Sequence, residues 1–326
     1  MKQALICVAL AAFSGVYADD PVKTPTKKEL ISTISHAWIS EEVLVWETTA
    51  KRFAYANKAH PIGSASYVDP VLNKPHSQWN PGVRINGGYQ FEHWTVFATW
   101  TYLQNQATGH KSTDGFHGFF PVLSMAPGLT PQDYVTAASE GWRLNFNSAE
   151  VGVSYPWKPR LGLTVKPHAA VRLAFVDQRS LTEYGGGIFS NGIDRLVLKN
   201  NFWGIGPAVG VMPAMHLPQG FSLVGDVMAS FLGGRLFTKQ HESYLSRSLF
   251  SHRGYSPRFF WGFDAKVGLN WETEPLYKAL ALSLQTGWEW HVFYDQTRIQ
   301  QNQQGFFHTP QNLVMQGAYL SAALGF

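Results

Sequence analysis

Read backwards in steps of two, Phe326, Leu324, Ala322, Leu320 and Ala318 form one wholly apolar face. The alternate positions Gly325, Ala323, Ser321, Tyr319 and Gly317 are mostly small. Period-two alternation is the signature of a strand. It recurs along the chain. Leu44, Trp46, Thr48 and Ala50 alternate with Val45, Glu47, Thr49 and Lys51, with a phase slip before Phe53 and Tyr55. Val83, Ile85, Tyr89 and Phe91 oppose Arg84, Asn86 and Gln90, and after a tight Glu92-His93 turn Trp94, Val96, Ala98, Trp100 and Tyr102 oppose Thr95, Thr99 and Thr101. Further strands are predicted from Trp142 to Tyr155, Leu161 to Phe175, Trp203 to Val211, Phe221 to Phe231, Arg258 to Glu272 and Leu280 to Tyr294. In the first of these the apolar parity changes near Asn147-Ser148, which predicts a bulge.

The connections alternate in length. Long loops are expected at 58–80, 104–141, 177–200, 239–257 and 297–311, and short turns near 92, 156–160, 216–220 and 274–278. A barrel with short periplasmic turns on one rim and long external loops on the other has this asymmetry. A soluble sandwich has no reason for it. The fold class expected is all-β, a single transmembrane antiparallel up-and-down barrel of about ten strands (10–12). The sheet must close, because backbone polar groups facing lipid have no other partners. An even strand count puts both termini in the periplasm and the protein in a bacterial outer membrane.

The N-terminus reads as a secretory signal over residues 1–18: Lys2, an apolar run from Ala4 to Phe13, and Val16-Tyr17-Ala18 before the cut. A periplasmic leader over 19–42 would follow, with Leu30, Ile31, Ile34 and Trp38 at rough helical spacing, and the barrel would occupy 43–326. The single cysteine, Cys7, falls in the signal, so no disulfide or thiol chemistry is expected in the mature chain.

Composition agrees. Aromatic residues make up 14% and charged residues 15%, yet no run of about 18 apolar residues follows the N-terminus, which disfavours helical spans. A formal charge of +4 is too small and scattered to indicate nucleic acid.

The outward stripe forms a hydrophobic belt. Trp94, Tyr155, Trp157, Trp271 and Phe326 are expected in the periplasmic aromatic girdle, and Trp100, Tyr102, Trp142, Trp203, Trp261 and Tyr294 in the outer one. The inward set is charged: Glu47, Lys51 and the pore-lining candidates Arg84, Lys166, His168, Arg172, Asp226, Asp264, Lys266, Glu289 and His291. Such a lining either filters solutes by charge and size or pairs into a network that closes the lumen. Barrels of about eight strands are filled by side chains and wide channels need about sixteen, so ten strands leave both readings open.

The stretch Asn200-Asn201-Phe202-Trp203-Gly204-Ile205-Gly206-Pro207 followed by Gly210 resembles a signature of the chlamydial and Legionella-type MOMP-like outer membrane proteins. Gly225-Asp226 with Ala229-Ser230, Pro167 to Gln178, Gly287-Trp288-Glu289-Trp290-His291 and the closing Gln316-Gly317 strand are similar to the same family. The resemblance covers Val43 to Phe326 and implies a pore-forming barrel. The chain departs from the cysteine-rich chlamydial members and resembles the cysteine-free branch. Phe326, Leu324 and Leu320 look like the C-terminal signal read by the barrel-assembly machinery.

The function expected is therefore a porin for passive diffusion of small hydrophilic solutes, with a non-conducting structural or adhesive barrel acting through its loops as the alternative. His291 and Asp295 lie near one rim, but no nucleophile motif accompanies them, so no enzyme activity is expected. Gly185-Gly186-Gly187 lacks the context of a phosphate loop and is expected to be a flexible loop. The loop histidines His60, His76, His110, His117, His241, His252 and His308 have no repeated ligand spacing, and neither metal nor cofactor is expected. The expected partners are outer-membrane lipid, the assembly machinery, small solutes and a second copy of the chain.

Overall fold

The computed structural model describes residues 37–50, 56–59, 68–73, 76–113, 118–126, 129, 133–159, 162–273, 281–297 and 311–326. The strands in chain order are β1 (Ala37–Ala50), β2 (Ala56–Ala59), β3 (Val68–Asn73), β4 (His76–Ser77), β5 (Trp79–Gln90), β6 (Thr95–Ser112), β7 (Gly118–Pro121), β8 (Ala137–Ser154), β9 (Leu163–Gly186), β10 (Phe189–His216), β11 (Phe221–Tyr244), β12 (Arg247–Glu272), β13 (Ala281–Thr297) and β14 (Gln311–Gly325). Ten of them, β1, β5, β6 and β8 to β14, close into one antiparallel ring. The first strand pairs with the last from Trp38↔Gly325 to Ala50↔Leu313. Short β4 continues the β5 edge on β6, and β2, β3 and β7 form a separate three-stranded sheet.

Each barrel strand places alternate residues inside and outside. On β9, Val165, Pro167, Ala169, Val171, Leu173 and Phe175 point outward; Thr164, His168 and Arg172 point into the lumen. After Phe175 the outward positions become Asp177, Arg179, Leu181 and Glu183, while the inward ones become Val176, Gln178, Ser180, Thr182 and Tyr184. The outward face thus turns mostly polar, and large apolar side chains appear inside. Below this point lipid is the apolar phase, and above it the barrel interior is. The same switch explains β8. No bulge occurs at Asn147-Ser148: pairing with β6 and β9 is continuous, Leu144 and Phe146 are buried inside, and Val151 and Tyr155 face out. Trp142, expected in the outer girdle, lies inside at 2% exposure and donates from Nε1 to Gln178 Oε1 at 3.2 Å. The other expected girdle residues are all exposed on the outer surface.

Two expected loops, 177–200 and 239–257, are largely strand, and part of a third, 104–141, is strand as well. β9 and β10 run to a tight turn at Gly186 and Gly187, whose φ values of 72° and 53° are the left-handed conformation that glycine adopts freely. This replaces the flexible loop expected there. β11 and β12 similarly meet at Leu245 and Ser246, and β6 extends to Ser112. A spanning strand needs about 9–11 residues, so the 28 residues of β10 and the 26 of β12 rise well beyond the belt. The polar outward positions of these extensions masked them in the hydrophobic pattern.

The first strand also differs from expectation. It starts at Ala37, so the last residues of the expected leader, Trp38 included, belong to the barrel. Leu44 and Trp46 point into the interior, and Glu47 lies on the outward face with Val43 and Val45. The signal segment, the rest of the leader, and Lys51, Phe53 and Tyr55 fall outside the described residues.

Candidate functional site: a charge network across the lumen

Cross-strand register first brings opposite charges side by side. Glu42 lies opposite Arg84, Glu150 opposite Arg172, and Lys266 opposite Glu289. Asp264 lies opposite His291. Opposed charges on one face stabilise strand pairs modestly. Three ion pairs run between strands that are not neighbours: Arg84 with Glu289, Lys266 with Glu42, and Arg172 with Asp264. Arg84 Nη1 reaches Glu42 Oε2 and Glu289 Oε2, each at 2.8 Å. Lys266 Nζ donates to both Glu42 oxygens at 3.1 Å and stands 3.9 Å over the Tyr319 ring. Arg172 Nη1 meets Asp264 Oδ2 at 2.6 Å, while Arg172 Nε donates to Glu150 Oε1 at 2.6 Å. His291 joins the two halves: Nδ1 is 2.6 Å from Asp264 Oδ1, and Nε2 is 3.4 Å from Glu289 Oε2.

The result is one chain of contacts, Glu150–Arg172–Asp264–His291–Glu289–Arg84–Glu42–Lys266, on β8, β9, β12, β13, β5 and β1. Four carboxylates meet three permanent cations and one imidazole. Neutral groups complete it. Trp46 Nε1 donates to Glu289 Oε1 at 2.9 Å, Arg84 Nε to Thr101 Oγ1 at 3.0 Å, and Asn86 Nδ2 to Glu42 Oε1 at 3.0 Å. Such partners are what allow ions to remain charged out of water.

On the long-loop side of the network the interior holds a large apolar cluster. Leu44, Leu103, Phe146, Phe202, Phe260, Phe293 and Met315 belong to one buried cluster. Phe202 and Phe260 pack edge to face at 4.4 Å, and Arg172 lies 6.0 Å over the Phe293 ring. Nearer the rim, the segment after β7 folds inward, burying Leu123, Ser124, Met125 and Ala126. Glu242 holds it: Ser124 Oγ donates to Oε1 at 2.5 Å and the Met125 amide to Oε2 at 2.7 Å. Two more acids are buried beyond the belt. Burial pushes the Glu140 carboxyl up to about 8 despite a 2.8 Å hydrogen bond from Ser180. Asp194 is raised by burial first and by the neighbouring Glu242 charge second.

All nine pore-lining candidates project into the lumen, but most are not bathed in water. Arg84, His168, Arg172, Asp264, Glu289 and His291 are buried, Glu289 at 1% exposure. Asp226 and Lys266 are half-buried, and Lys166 is exposed toward the short-turn rim. His168 stands apart from the network, 3.9 Å from Asp226. Sequence reasoning missed Glu42, Trp46 and Glu150. Parity with Val43, Val45 and Val151 on the outward face would have found all three. The Asp295 side chain lies outside the described residues.

A closed ring with an apolar exterior belt and a charged interior defines a transmembrane β-barrel. The family model described as the Legionella pneumophila major outer membrane protein precursor matches residues 32–326, and the chain belongs to that family of outer membrane proteins. No curated protein matches the chain. Among solved structures, the outer membrane protease OmpT from Escherichia coli aligns at 8% identity and TM-score 0.45, covering 90% of this chain and 97% of that one. Neisserial surface protein A aligns at 10% identity and TM-score 0.28, covering 89% and 97%. The Pseudomonas putida toluene transporter TodX aligns at 8% identity and TM-score 0.30, covering 91% of each.

Proposed function

We propose that this outer membrane protein is a barrel whose lumen is held shut, with its long hairpins facing outside and its short turns in the periplasm. It serves the envelope as a structural surface barrel acting through those hairpins. The observation that carries this reading is the burial of the trans-lumen pair Arg84 and Glu289 at 2.8 Å, backed by the apolar cluster and the loop anchored on Glu242. A conducting path needs lining groups in contact with water. The His291 ring contacts Asp264 and Glu289, and among the described residues no hydroxyl is bonded to it.

Porin-like passive diffusion of small hydrophilic solutes is the second reading. It is favoured by the polar end of the lumen, where Lys166 is exposed and Asp226 half-buried, and it requires the network to open. Planar-bilayer recording separates the two. The closed barrel gives no stepwise current, and Arg84→Ala with Glu289→Ala creates one. Stepwise currents from the unaltered protein sink the closed reading and support diffusion. In that case Lys166→Glu shifts the ion preference.

A further inference from the structure

Beyond the belt, the registers of five adjacent strands align five cations. Arg143 lies opposite Arg179, Arg179 opposite Lys199, Lys199 opposite Lys239, and Lys239 opposite Arg253. All five occupy the outward face: Arg143, Arg179 and Arg253 are exposed, Lys199 and Lys239 half-buried. At the usual strand spacing the row is about 19 Å long. Like charges directly opposite one another destabilise a sheet. Here the repulsion is repeated at four successive pairs.

The fold offers little to offset it. Among the described residues no side chain of the five makes an ion pair or a hydrogen bond, although further along the same sheet Arg195 has Glu183 at 2.8 Å. The flanking row on the belt side is Asn145, Asp177, Asn201, Phe237 and Tyr255, with a single acid. The flanking row on the other side is Gly141, Leu181, Val197, His241 and Ser251, with none. The row lies four residues past the exposed rings of Phe175 on β9 and Trp203 on β10, about 13 Å along the strand. That distance takes it out of the hydrocarbon and into the headgroup layer.

We propose that this row is a docking surface for the phosphate groups of lipids in the outer leaflet. Phosphate suits the site because guanidinium groups bind its oxygens two at a time and ammonium groups supply point charges. A membrane-anchored source suits it because the row runs around the barrel wall just beyond the lipid-facing aromatics, where headgroups stand side by side. A soluble anion would need a concave site, and this one is a sheet face. The proposal rests on the outward placement of the long hairpins and is independent of whether the lumen conducts.

The test uses the folded full chain in detergent micelles, with bisphosphorylated lipid A as probe and native mass spectrometry as readout. Replacing all five cations with Gln lowers lipid affinity roughly ten-fold or more, the scale expected for several headgroup-level charge contacts. Exchanging Arg for Lys and Lys for Arg at the same positions retains most of it. Dephosphorylated lipid A binds both forms equally weakly. Equal retention of the phosphorylated lipid by the unaltered and five-Gln proteins overturns the proposal. So does displacement by millimolar inorganic phosphate, which assigns the site to a soluble anion. If the five-Gln chain does not fold, Arg179→Gln with Lys199→Gln carries the same test at the centre of the row. Labelling of Ser190→Cys on intact cells with an impermeant maleimide reports hairpin orientation separately. An unlabelled cell with normal lipid binding refutes the orientation, and a labelled cell with no lipid effect refutes the docking surface.

Discussion

Arg84 and Glu289 stand 205 residues apart in the chain and meet at 2.8 Å across the lumen. Arg84 is on β5 and Glu289 on β13, with β1 and β14 between them in the ring. The pair therefore ties together two strands three steps apart in the ring of ten. Removing one partner strands a buried charge, which costs about 3–5 kcal/mol. Glu289→Ala and Arg84→Ala should each lower the midpoint of urea unfolding in micelles, followed by tryptophan fluorescence. Replacing both with Met should cost less than either single change, since two apolar groups leave no charge unpaired. A double variant as unstable as the sum of the singles would falsify the pairing.

The buried acids beyond the belt make the mouth sensitive to alkali. Glu140, raised from 4.5 to about 8, is protonated in the folded protein over a range in which the unfolded chain has already ionised. Its contribution is fully present below about pH 4.5 and is lost as pH rises through about 8. Asp194 acts in the same direction. Amide hydrogen exchange, corrected for its intrinsic pH dependence, should show less protection at Leu123 to Ala126 at pH 9 than at pH 5. Glu140→Gln should flatten part of that difference. Protection that grows with pH contradicts the assignment.

Glu242 holds the inward segment through two hydrogen bonds to a carboxylate. Bonds to charged groups are worth about 1.5–3 kcal/mol each. Glu242→Ala should raise protease cleavage within residues 118–126 by roughly ten-fold or more and leave the barrel intact as judged by heat-modifiable gel mobility. Unchanged cleavage means that the apolar contacts of Leu123 suffice without the anchor.

The Leu245-Ser246 turn carries φ values of 49° and 63° on residues other than glycine. A two-residue hairpin turn with both residues in this region favours Asn-Gly. Leu245→Asn with Ser246→Gly should raise stability by about 1 kcal/mol, measured by the same urea titration. A lower midpoint would show that the exposed Leu245 side chain makes a contact worth more than the relief of strain.

Phe326 exchanges backbone hydrogen bonds with Ala37 at 2.9 and 3.0 Å, yet its ring remains exposed on the outer wall. Leu324 and Leu320 lie on the same exposed stripe. Deleting Phe326 should reduce insertion into the outer membrane more than it alters the folded barrel, scored by the folded fraction in membrane preparations. Normal assembly of the shortened chain removes the insertion role from this stripe.

Inside the lipid belt, sequence pattern was a good guide on most strands, with β1 the exception. From Val165 to Phe175, or from Phe259 to Trp271, every second residue is apolar because lipid contacts one face only. Beyond the belt the same rule misleads. Leu144 and Phe146 looked like a bulge in β8, but they belong to an unbroken strand whose apolar neighbour has changed from lipid to the barrel interior. The tall hairpins were hidden for the same reason, since Lys199, Arg195, Lys239 and Arg253 read as loop residues when their inward partners are not known.

By itself, the sequence determined the class of fold, the ring of about ten strands, and which side chains of most strands project inward, because strand geometry is local and its period is two. Only the tertiary structure decided what the inward charges do. Arg84, Glu289, Asp264 and Arg172 are the same residues whether they line a channel or bridge it. The outcome depends on barrel width and on which nonadjacent strands face each other, and both emerge only when the ring closes. The row of five cations has the same origin. Arg143 and Arg253 are 110 positions apart in the chain, and closure of the registers between them puts them in one line.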